Sequence, residues 1–317
     1  MDESEFIKEI PVFINVRDRL NCLYQLLAWL EQAGHRKIIL IDNASTYPPL
    51  LRYLNTCPHH VFRSGKNLGH TALWQIPEFK KTISSSWYVY TDPDVVPIEL
   101  CPPDLIAKLY GLLKRFPDYL KAGPGLHLDD IPDHYHLKQK VLDVETSLYG
   151  KEVEQGVFQA DIDTTFALHR PHTPYILGPA LRLRGRYEIR HFPWYVDSAN
   201  LCEEDIYYRD RATKSVTNWN TASDDVKLKC LPIGGGVAHQ MDADPKFLLQ
   251  ALMRTYSGRM FSIICSVKSF FSRKHKQAVF MQANQDNEAR QAILKILLSD
   301  EWMMAAKMVR QFKFFIR

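Results

Sequence analysis

The sequence lacks the signals of several large protein classes. No two of its six cysteines form a CxxC pair, and no group of Cys and His has the spacing of a zinc finger. Scattered single cysteines in a chain of 317 residues indicate buried thiols in a reducing compartment. The first residues have no apolar signal-peptide core, and the longest apolar stretch, Met260 to Phe271, is shorter than the ~20 residues of a transmembrane helix. We therefore expect a cytoplasmic protein.

The chain also lacks the glycine motifs of common nucleotide-binding and hydrolytic folds. It contains no GxxxxGK[ST] phosphate loop, no GxGxxG fingerprint and no GxSxG elbow. The run Gly234-Gly235-Gly236 is not followed by the Lys and Ser/Thr that a phosphate loop needs. These absences argue against a P-loop ATPase or kinase, a dinucleotide dehydrogenase and an α/β-hydrolase.

Charge is distributed unevenly along the chain. The whole sequence carries a net charge of +4, but residues 246–317 contain 13 basic and 4 acidic residues, which leaves residues 1–245 at −5. A mildly acidic body argues against a nucleic-acid-binding protein. The basic segment also contains Met, Ile and Phe, so it suits an amphipathic helix on an anionic membrane or a packed helical subdomain. We expect a main domain at 1–244 and a basic helical region at 245–317.

Apolar runs alternate with helical repeats in the first part of the chain. The predicted strands lie at 10–16, 37–42, 61–63 and 87–91. Helices are predicted at 17–33, with Asp18 as N-cap and Gly34 as stop, and at 71–81, with a break at Pro77. Further elements are predicted as a helix at 102–116, strands at 121–128 and 159–168, an ordered loop at 182–198 and a helix at 202–212. This alternation predicts an α/β fold with a mostly parallel sheet and helices on both faces.

Polar residues follow each of the first four predicted strands. They are Asn15 and Arg17, Asp42 and Asn43, Arg63, and Asp92 and Asp94. Ligands of parallel sheets bind at the carboxyl ends of the strands, so we expect a site at this edge.

The tripeptide Asp92-Pro93-Asp94 places two carboxylates directly after the apolar strand WYVYT. Mg²⁺ and Mn²⁺ prefer such oxygen ligands and keep open positions for phosphate oxygens. The alternative is a simple turn, because Asp and Pro are also common turn residues.

Four segments together resemble a known family. The opening PVFINVRDRL, the strand end IDNAST, the segment RSGKNLGH and the motif DPDVVP are similar to those of nucleotide-sugar-dependent glycosyltransferases of the GT-A fold, related to family 2. The resemblance covers residues 10–130 well and 155–240 more loosely, and the proline between the aspartates departs from the commonest form. It implies a Rossmann-like, mixed, mostly parallel sheet with a nucleotide-binding half at about 10–130, an acceptor half at about 131–244 and a helical carboxy-terminal extension.

The resemblance also implies an activity. The expected reaction is inverting, metal-dependent transfer of a sugar from a nucleotide-sugar, usually a UDP-sugar, to the hydroxyl of a glycan or lipid-linked glycan. Such an enzyme would serve bacterial surface polysaccharide synthesis at the inner face of the plasma membrane, which the basic region at 245–317 would contact peripherally.

Site residues follow from matching this chain to the family's motifs. The residues expected at the nucleotide are Asn15, Arg17, Asp42, Asn43, Asn67, Gly69 and Asp92. The residues expected at a Mn²⁺ or Mg²⁺ ion are Asp92, Asp94 and His239, with His191 as a competitor of the histidine. Two alternatives stay open: an Asx turn or helix cap at Asp42, and a plain turn at Asn67-Leu68-Gly69.

The expected catalytic base lies further along the chain. Glu203-Glu204-Asp205 opens a predicted helix and resembles the family's xED element, in which Asp205 matches the usual base and Glu204 stands close behind. The reserve candidates are Asp161, Asp163 and Asp197, and the alternative is an acidic helix start without a catalytic role. The aromatic segment RHFPWY, followed by Asp197, suggests an acceptor or sugar wall made of His191, Trp194, Tyr195 and Asp197. A packed aromatic corner is the alternative for this segment.

Two other functions remain possible from the sequence. A sugar-phosphate nucleotidyltransferase also uses an α/β sheet and aspartate-bound Mg²⁺, but it normally carries a glycine-rich loop where this chain has NVRDRLN. A non-catalytic nucleotide- or glycan-binding module would keep the fold without the reaction. The complete Asp92/Asp94 and Glu204/Asp205 pairs argue against that module.

Overall fold

The computed structural model describes residues 2–197 and 199–211. The helices are α1 (Glu3–Lys8), α2 (Asn21–Gln32), α3 (Pro48–Thr56), α4 (Ala72–Gln75), α5 (Lys80–Ser85), α6 (Leu105–Arg115), α7 (Lys138–Ser147) and α8 (Glu203–Arg211). The strands are β1 (Val12–Val16), β2 (Ile38–Asp42), β3 (His60–Arg63), β4 (Tyr88–Thr91), β5 (Val95–Pro97), β6 (Lys121–Pro124), β7 (Glu152–Glu154), β8 (Val157–Gln159), β9 (Ala167–His169), β10 (Ala180–Leu183) and β11 (Ile189–His191). Within these ranges, no helix has the length and apolar character needed to cross a bilayer.

Nine of these strands form one mixed sheet in the order β3-β2-β1-β4-β9-β6-β10-β8-β7. The pairs β3–β2, β2–β1, β1–β4 and β6–β10 are parallel, whereas β8 and β9 run against their neighbours. A separate two-stranded sheet joins β5 to β11 in antiparallel register. The expected mixed, mostly parallel α/β sheet is therefore confirmed.

Alternate residues of the central strands face opposite sides of the sheet, as the two-residue period of a strand requires. Val12 and Ile14 of β1 belong to a core cluster with the buried leucines of α2 and α6. Phe13, between them, belongs to a second cluster with Leu73 of α4 and Ile83 of α5. Helices therefore cover both faces of the sheet, as the alternation of strands and helices predicted.

The loop after β1 differs from the prediction. Helix α2 begins at Asn21 rather than near Arg17, and Leu20 occupies the N-cap position without a side-chain cap. Asp18 is not the cap: its φ angle is +50°, and its Oδ1 accepts hydrogen bonds from the backbone N–H groups of Thr46 and Tyr47 at 2.6 and 2.8 Å. Asp18 therefore links the loops that follow β1 and β2. The predicted stop at Gly34 is confirmed by its φ of +84°.

Later elements agree less well with the sequence patterns. The single strand predicted at 159–168 is two strands, β8 and β9, joined by an irregular segment. The break at Pro77 is confirmed, whereas α1, α3 and α7 were not predicted. Among the described cysteines, which are all free thiols, only Cys101 is buried and Cys202 is exposed, so the expectation of buried thiols fails at Cys202. The glycine run near residue 235, His239, the remaining cysteines and the region 245–317 lie outside the described residues.

Candidate active site

Hydrogen bonds join three of the predicted nucleotide-binding segments at the carboxyl edge of the sheet. The carbonyl oxygen of Gly69 accepts from Nδ2 of Asn15 at 3.2 Å and from Nδ2 of Asn43 at 2.8 Å. Oδ1 of Asn43 accepts from the backbone N–H of Leu68 at 2.6 Å. The ends of β1 and β2 therefore hold the loop that follows β3. Asn15 is itself buried, and the described residues provide no hydrogen-bond partner for its Oδ1.

Asp42 ends β2 with both carboxylate oxygens engaged. Oδ1 accepts from the backbone N–H of Ser45 at 2.9 Å, which is an Asx turn. Oδ2 pairs with Nη1 of Arg63 at 2.7 Å; the Asp42 side chain is only 6% exposed, whereas that of Arg63 is 42% exposed. The turn considered as an alternative is thus present, and recognition of a base by Asp42 stays a prediction.

Asn67 and Gly69 form a turn at the same edge. Oδ1 of Asn67 accepts from the backbone N–H of Gly69 at 2.9 Å, and Gly69 has a φ of +72°, which favours glycine. Arg17 lies after β1 with Nε 3.9 Å from Oδ2 of Asp18, and its buried Nη1 has no hydrogen-bond partner among the described residues. The loop after β1 therefore carries an arginine N–H group that the described residues leave unpaired.

Asp92, the first of the two aspartates after β4, is held by an irregular segment before β9. The backbone N–H of Asp92 donates to the carbonyl of Thr164 at 3.1 Å, and Oγ1 of Thr164 donates to Oδ2 of Asp92 at 2.5 Å. Burial raises the pKa of Asp92 well above its usual range, and the nearby charge of Asp94 raises that pKa further. The Asp92 carboxyl therefore lies in a buried, negatively charged environment.

These two carboxyl groups fit a divalent cation by their chemistry. Both supply hard oxygen ligands, and a cation would relieve the repulsion that raises the pKa of Asp92. No group of three or more His, Cys, Asp and Glu side chains is arranged for a metal within residues 2–197 and 199–211. A metal held by Asp92 and Asp94 would thus take further ligands from elsewhere, and the expected ligand His239 lies outside the described residues.

The pairing of β11 with β5 brings the backbone at His191 close to Asp94. Residue 191 of β11 lies opposite Val95, and the backbone N–H of Phe192 donates to the carbonyl of Asp94 at 2.9 Å. Burial lowers the pKa of His191, and the charge of Asp94 opposes that shift. The imidazole contacts the Trp194 ring edge-to-face at 4.8 Å between centroids. His191 therefore lies beside Asp94, and its service as a metal ligand stays a prediction.

The expected aromatic wall is corrected in part. Trp194 is only 2% exposed and belongs to the hydrophobic core, so it cannot stack on a sugar in this structure. Tyr195 donates its hydroxyl to Oδ1 of Asp130 at 2.5 Å and lies beside Arg190. Asp197 closes its own loop by accepting from the backbone N–H of Ala199 at 2.9 Å. The packed corner is therefore the better description of Trp194.

Helix α8 carries the two carboxylates of the predicted catalytic pair to the loop after β1. Oε2 of Glu204 accepts from the backbone N–H groups of Leu20 and Asn21 at 2.7 and 3.1 Å, so Glu204 caps α2 from another part of the chain. Oδ1 of Asp205 pairs with Nη1 of Arg19 at 2.5 Å. In the described structure, the Glu204 carboxylate therefore caps α2 and the Asp205 carboxylate forms an ion pair with Arg19.

Two site residues escaped the sequence analysis. Arg19 stood inside the motif RDRL but was not assigned a role, and its partner Asp205 lies 186 residues further on. Thr164 follows the reserve candidates Asp161 and Asp163, and its hydroxyl reaches Asp92 across 72 residues. The unusual concentration of charge in RDR was the available signal for Arg19, whereas nothing local indicated Thr164.

Comparisons with known proteins give fold likeness at low similarity. No protein-family model matches the chain, and no curated protein matches it in sequence. One similar solved structure is glucosyl-3-phosphoglycerate synthase from Mycobacterium tuberculosis with phosphoglyceric acid. The two sequences are 14% identical, the TM-score is 0.34, and the match covers 56% of this chain and 64% of that chain. This chain therefore spans less than two thirds of that protein.

A second similar structure is the mannosyltransferase PcManGT from Pyrobaculum calidifontis in complex with GDP-Man and Mn²⁺. It has 12% identity and a TM-score of 0.33, over 91% of this chain and 87% of that chain. Likenesses at this level carry no argument about the chemistry of this chain.

Proposed function

We propose that this protein is a metal-dependent glycosyltransferase that moves a sugar from a nucleotide-sugar to an acceptor hydroxyl. The observation that supports this proposal best is that two sets of carboxylates, one after β4 and one on α8, lie at the same edge of the sheet. Asp92 and Asp94 follow β4, and Asp205 of α8 reaches the loop after β1 through its ion pair with Arg19. The charges acting on Arg19 include Asp94 as well as Asp205. Transfer of a sugar from a nucleoside diphosphate to an acceptor hydroxyl needs the leaving group and the base close together.

The nucleotide is proposed to lie against the ends of β1 and β2. The Asn15–Gly69–Asn43 cluster fixes this wall, and Asp42 would accept from an N–H of the base. Arg63, which pairs with Asp42, is partly exposed and can turn into solvent when the base binds. The family resemblance favours uracil, so a UDP-sugar is the proposed donor.

Asp92 and Asp94 would hold Mn²⁺ or Mg²⁺. When bound, the metal neutralises charge on the diphosphate leaving group. Thr164 has a supporting part, because its hydroxyl and carbonyl fix both the Asp92 side chain and its backbone N–H. His191 lies next to Asp94 and is the described histidine that we propose as an additional ligand.

Asp205 is the proposed base. The acceptor oxygen forms a bond to the anomeric carbon, the bond from that carbon to the diphosphate oxygen breaks, and the acceptor proton passes to the Asp205 carboxylate. Glu204 is the weaker candidate because its Oε2 already accepts two backbone N–H groups. The acceptor, proposed from the family resemblance, is a glycan or lipid-linked glycan.

The first test is ligand-dependent thermal stability. We expect one group of nucleotide-sugars, among UDP-, GDP-, CMP- and dTDP-sugars with Mn²⁺, to raise the melting temperature, because a ligand at 100 times its Kd stabilises the fold by about 2.7 kcal/mol. The Asp94→Asn variant should lose the Mn²⁺-dependent part of this shift. The Asp205→Asn variant should keep the shift but lose transfer by a factor of about 10² or more.

Asp118→Asn is the matched control, because Asp118 is an exposed aspartate outside the site. It should behave as the wild type in both measurements. A wild type that no nucleotide-sugar stabilises, with or without Mn²⁺, would contradict the proposal. Binding without transfer or donor hydrolysis would instead indicate a non-catalytic module.

A further inference from the structure

Arg19 is a buried arginine in the loop between β1 and α2. Its side chain is 7% exposed, and Nη1 pairs with Oδ1 of Asp205 at 2.5 Å. The guanidinium lies over the ring of Tyr208, 4.1 Å from the ring centroid. Its Nε is buried and has no hydrogen-bond partner within residues 2–197 and 199–211. A buried N–H without a partner is costly, so this nitrogen requires an explanation.

The geometry of a guanidinium separates these two nitrogens. Nε–H and one neighbouring N–H lie along a single edge, and this edge matches two oxygens of a phosphate or carboxylate. Nη1, which Arg19 uses for Asp205, does not belong to that edge. Arg19 can therefore keep its contact with Asp205 and still present a second edge to another anion.

Two carboxylates of the proposed site act on Arg19. Burial opposes the charged form of Arg19, and the largest contributions that favour this form come from Asp94, Tyr208 and Asp205. Asp94 is a proposed metal ligand, so the charges of both the proposed metal site and the proposed base act on Arg19.

The surroundings of Arg19 are fixed by helix α8. Glu204 caps the next two residues, Leu20 and Asn21, and the hydroxyl of Tyr207 donates to the carbonyl of Thr46 at 2.8 Å. Two anchors on neighbouring loops hold α8 in place. Arg19 is thus oriented before any ligand binds, which lowers the entropic cost of using it.

We propose that Arg19 binds the diphosphate of the nucleotide donor through its Nε edge while Nη1 remains on Asp205. This inference rests on the proposed function and assigns a substrate contact to a residue outside the expected set. As the glycosidic bond to the diphosphate breaks, the electron pair stays on the diphosphate oxygen and Arg19 remains protonated throughout. The arginine therefore connects the leaving group to the proposed base.

The test compares nucleoside diphosphates with their monophosphates by titration calorimetry on the full chain. UDP, GDP, CDP and dTDP are each measured against the matching monophosphate in EDTA, so that no metal contributes. The wild type should bind one diphosphate about tenfold or more tightly than its monophosphate, the gain expected for charge-assisted hydrogen bonds. Arg19→Gln should bring this ratio close to one and leave monophosphate affinity unchanged.

Two further variants separate the contact from a loss of structure. Arg182→Gln removes a buried arginine that pairs with Glu145 at 2.6 Å, and it should keep the wild-type ratio. Arg19→Lys keeps the charge without the two-nitrogen edge, so its ratio should fall between those of the wild type and Arg19→Gln. Melting temperatures show which variants are folded, and Arg19→Lys decides the matter if Arg19→Gln does not fold.

The outcomes distinguish this inference from the proposed function. A folded Arg19→Gln or Arg19→Lys variant with the wild-type ratio would overturn the role of Arg19 and leave the glycosyltransferase proposal standing. A wild type that binds none of the four diphosphates, in EDTA or in Mn²⁺, would overturn both.

Discussion

His35 is a buried histidine between α2 and β2, and neither of its ring nitrogens has a hydrogen-bond partner in the described part of the chain. It is 6% exposed and follows Gly34 at the end of α2. Burial, assisted by the charge of Lys8, lowers the pKa of His35 from 6.5 to about 4. The folded protein therefore keeps this imidazole neutral at a pH where an unfolded chain would protonate it.

This histidine predicts an acid-sensitive free energy of unfolding. Above pH 6.5 both states are neutral, whereas between pH 6.5 and 4 the unfolded state binds the proton first, so stability falls as the pH falls. The full loss, complete below about pH 4, is about 3 kcal/mol. Urea unfolding of the wild type and His35→Leu at several pH values should give a flatter profile for the variant.

His60→Leu supplies the matched control, because His60 is exposed on β3. Its pH profile should follow that of the wild type. A His35→Leu variant with the same slope as the wild type between pH 6.5 and 4 would show that other groups cause the acid sensitivity.

Individual site residues were predictable where a short motif carries the information. The strand ends placed Asn15, Asp42 and Asp92 at one edge, because parallel strands share the side on which they end. The contact of Arg19 with Asp205 was not predictable, since it depends on how α8 packs against a loop 186 positions earlier in the chain. The burial of Trp194 in the core was also not predictable from the sequence, because an aromatic residue is equally suited to a hydrophobic core and to a sugar-binding wall.

At the scale of elements, α2 depends on α8. Helix α2 has no side-chain cap of its own at Leu20, and the first N–H groups of a helix need partners. Glu204 supplies that partner, and its negative charge also suits the positive end of the helix dipole. Burial raises the pKa of Glu204, which the two backbone N–H groups oppose. Glu204 therefore has a structural task, whatever its part in the reaction.

We predict that Glu204→Ala lowers the free energy of unfolding by about 1–2 kcal/mol, the usual worth of a helix cap and of hydrogen bonds to a charged group. The reason is that two N–H groups, of Leu20 and Asn21, lose their acceptor. Urea unfolding measures the change. Glu203→Ala is the control, because Glu203 is exposed in the same first turn and should give a much smaller effect. Equal effects of the two substitutions would contradict the cap.

Secondary-structure elements were predicted well where the local sequence indicates them, and poorly where pairing with neighbouring strands determines them. β1, β2 and β4 are mainly apolar runs that are buried at every residue except Ile39 of β2, so composition alone indicates them. β7, β8 and β11 have three residues each and are defined by their neighbours. The segment between β8 and β9 was predicted as strand, but it leaves the sheet and delivers Thr164 to Asp92. No local pattern encodes that departure.

At the scale of the whole molecule, the two expected halves share one sheet. β9 comes from the second half of the described chain, yet it lies between β4 and β6 of the first half and pairs with both. Its residues Ala167 and Leu168 are fully buried. The nucleotide-binding half therefore cannot complete its sheet without residues from beyond the loop at Gly150.

This interleaving predicts the behaviour of a chain divided after Gly150, an exposed residue between α7 and β7. Fragment 1–150 keeps β4 and β6 but lacks β9, so two strands gain unpaired edges, and such edges promote aggregation. We expect the fragment to be insoluble alone and soluble when co-expressed with 151–317, because the cut falls outside every strand. Co-purification and far-UV circular dichroism measure this. A fragment 1–150 that unfolds cooperatively by itself would show that the first half closes its sheet without β9.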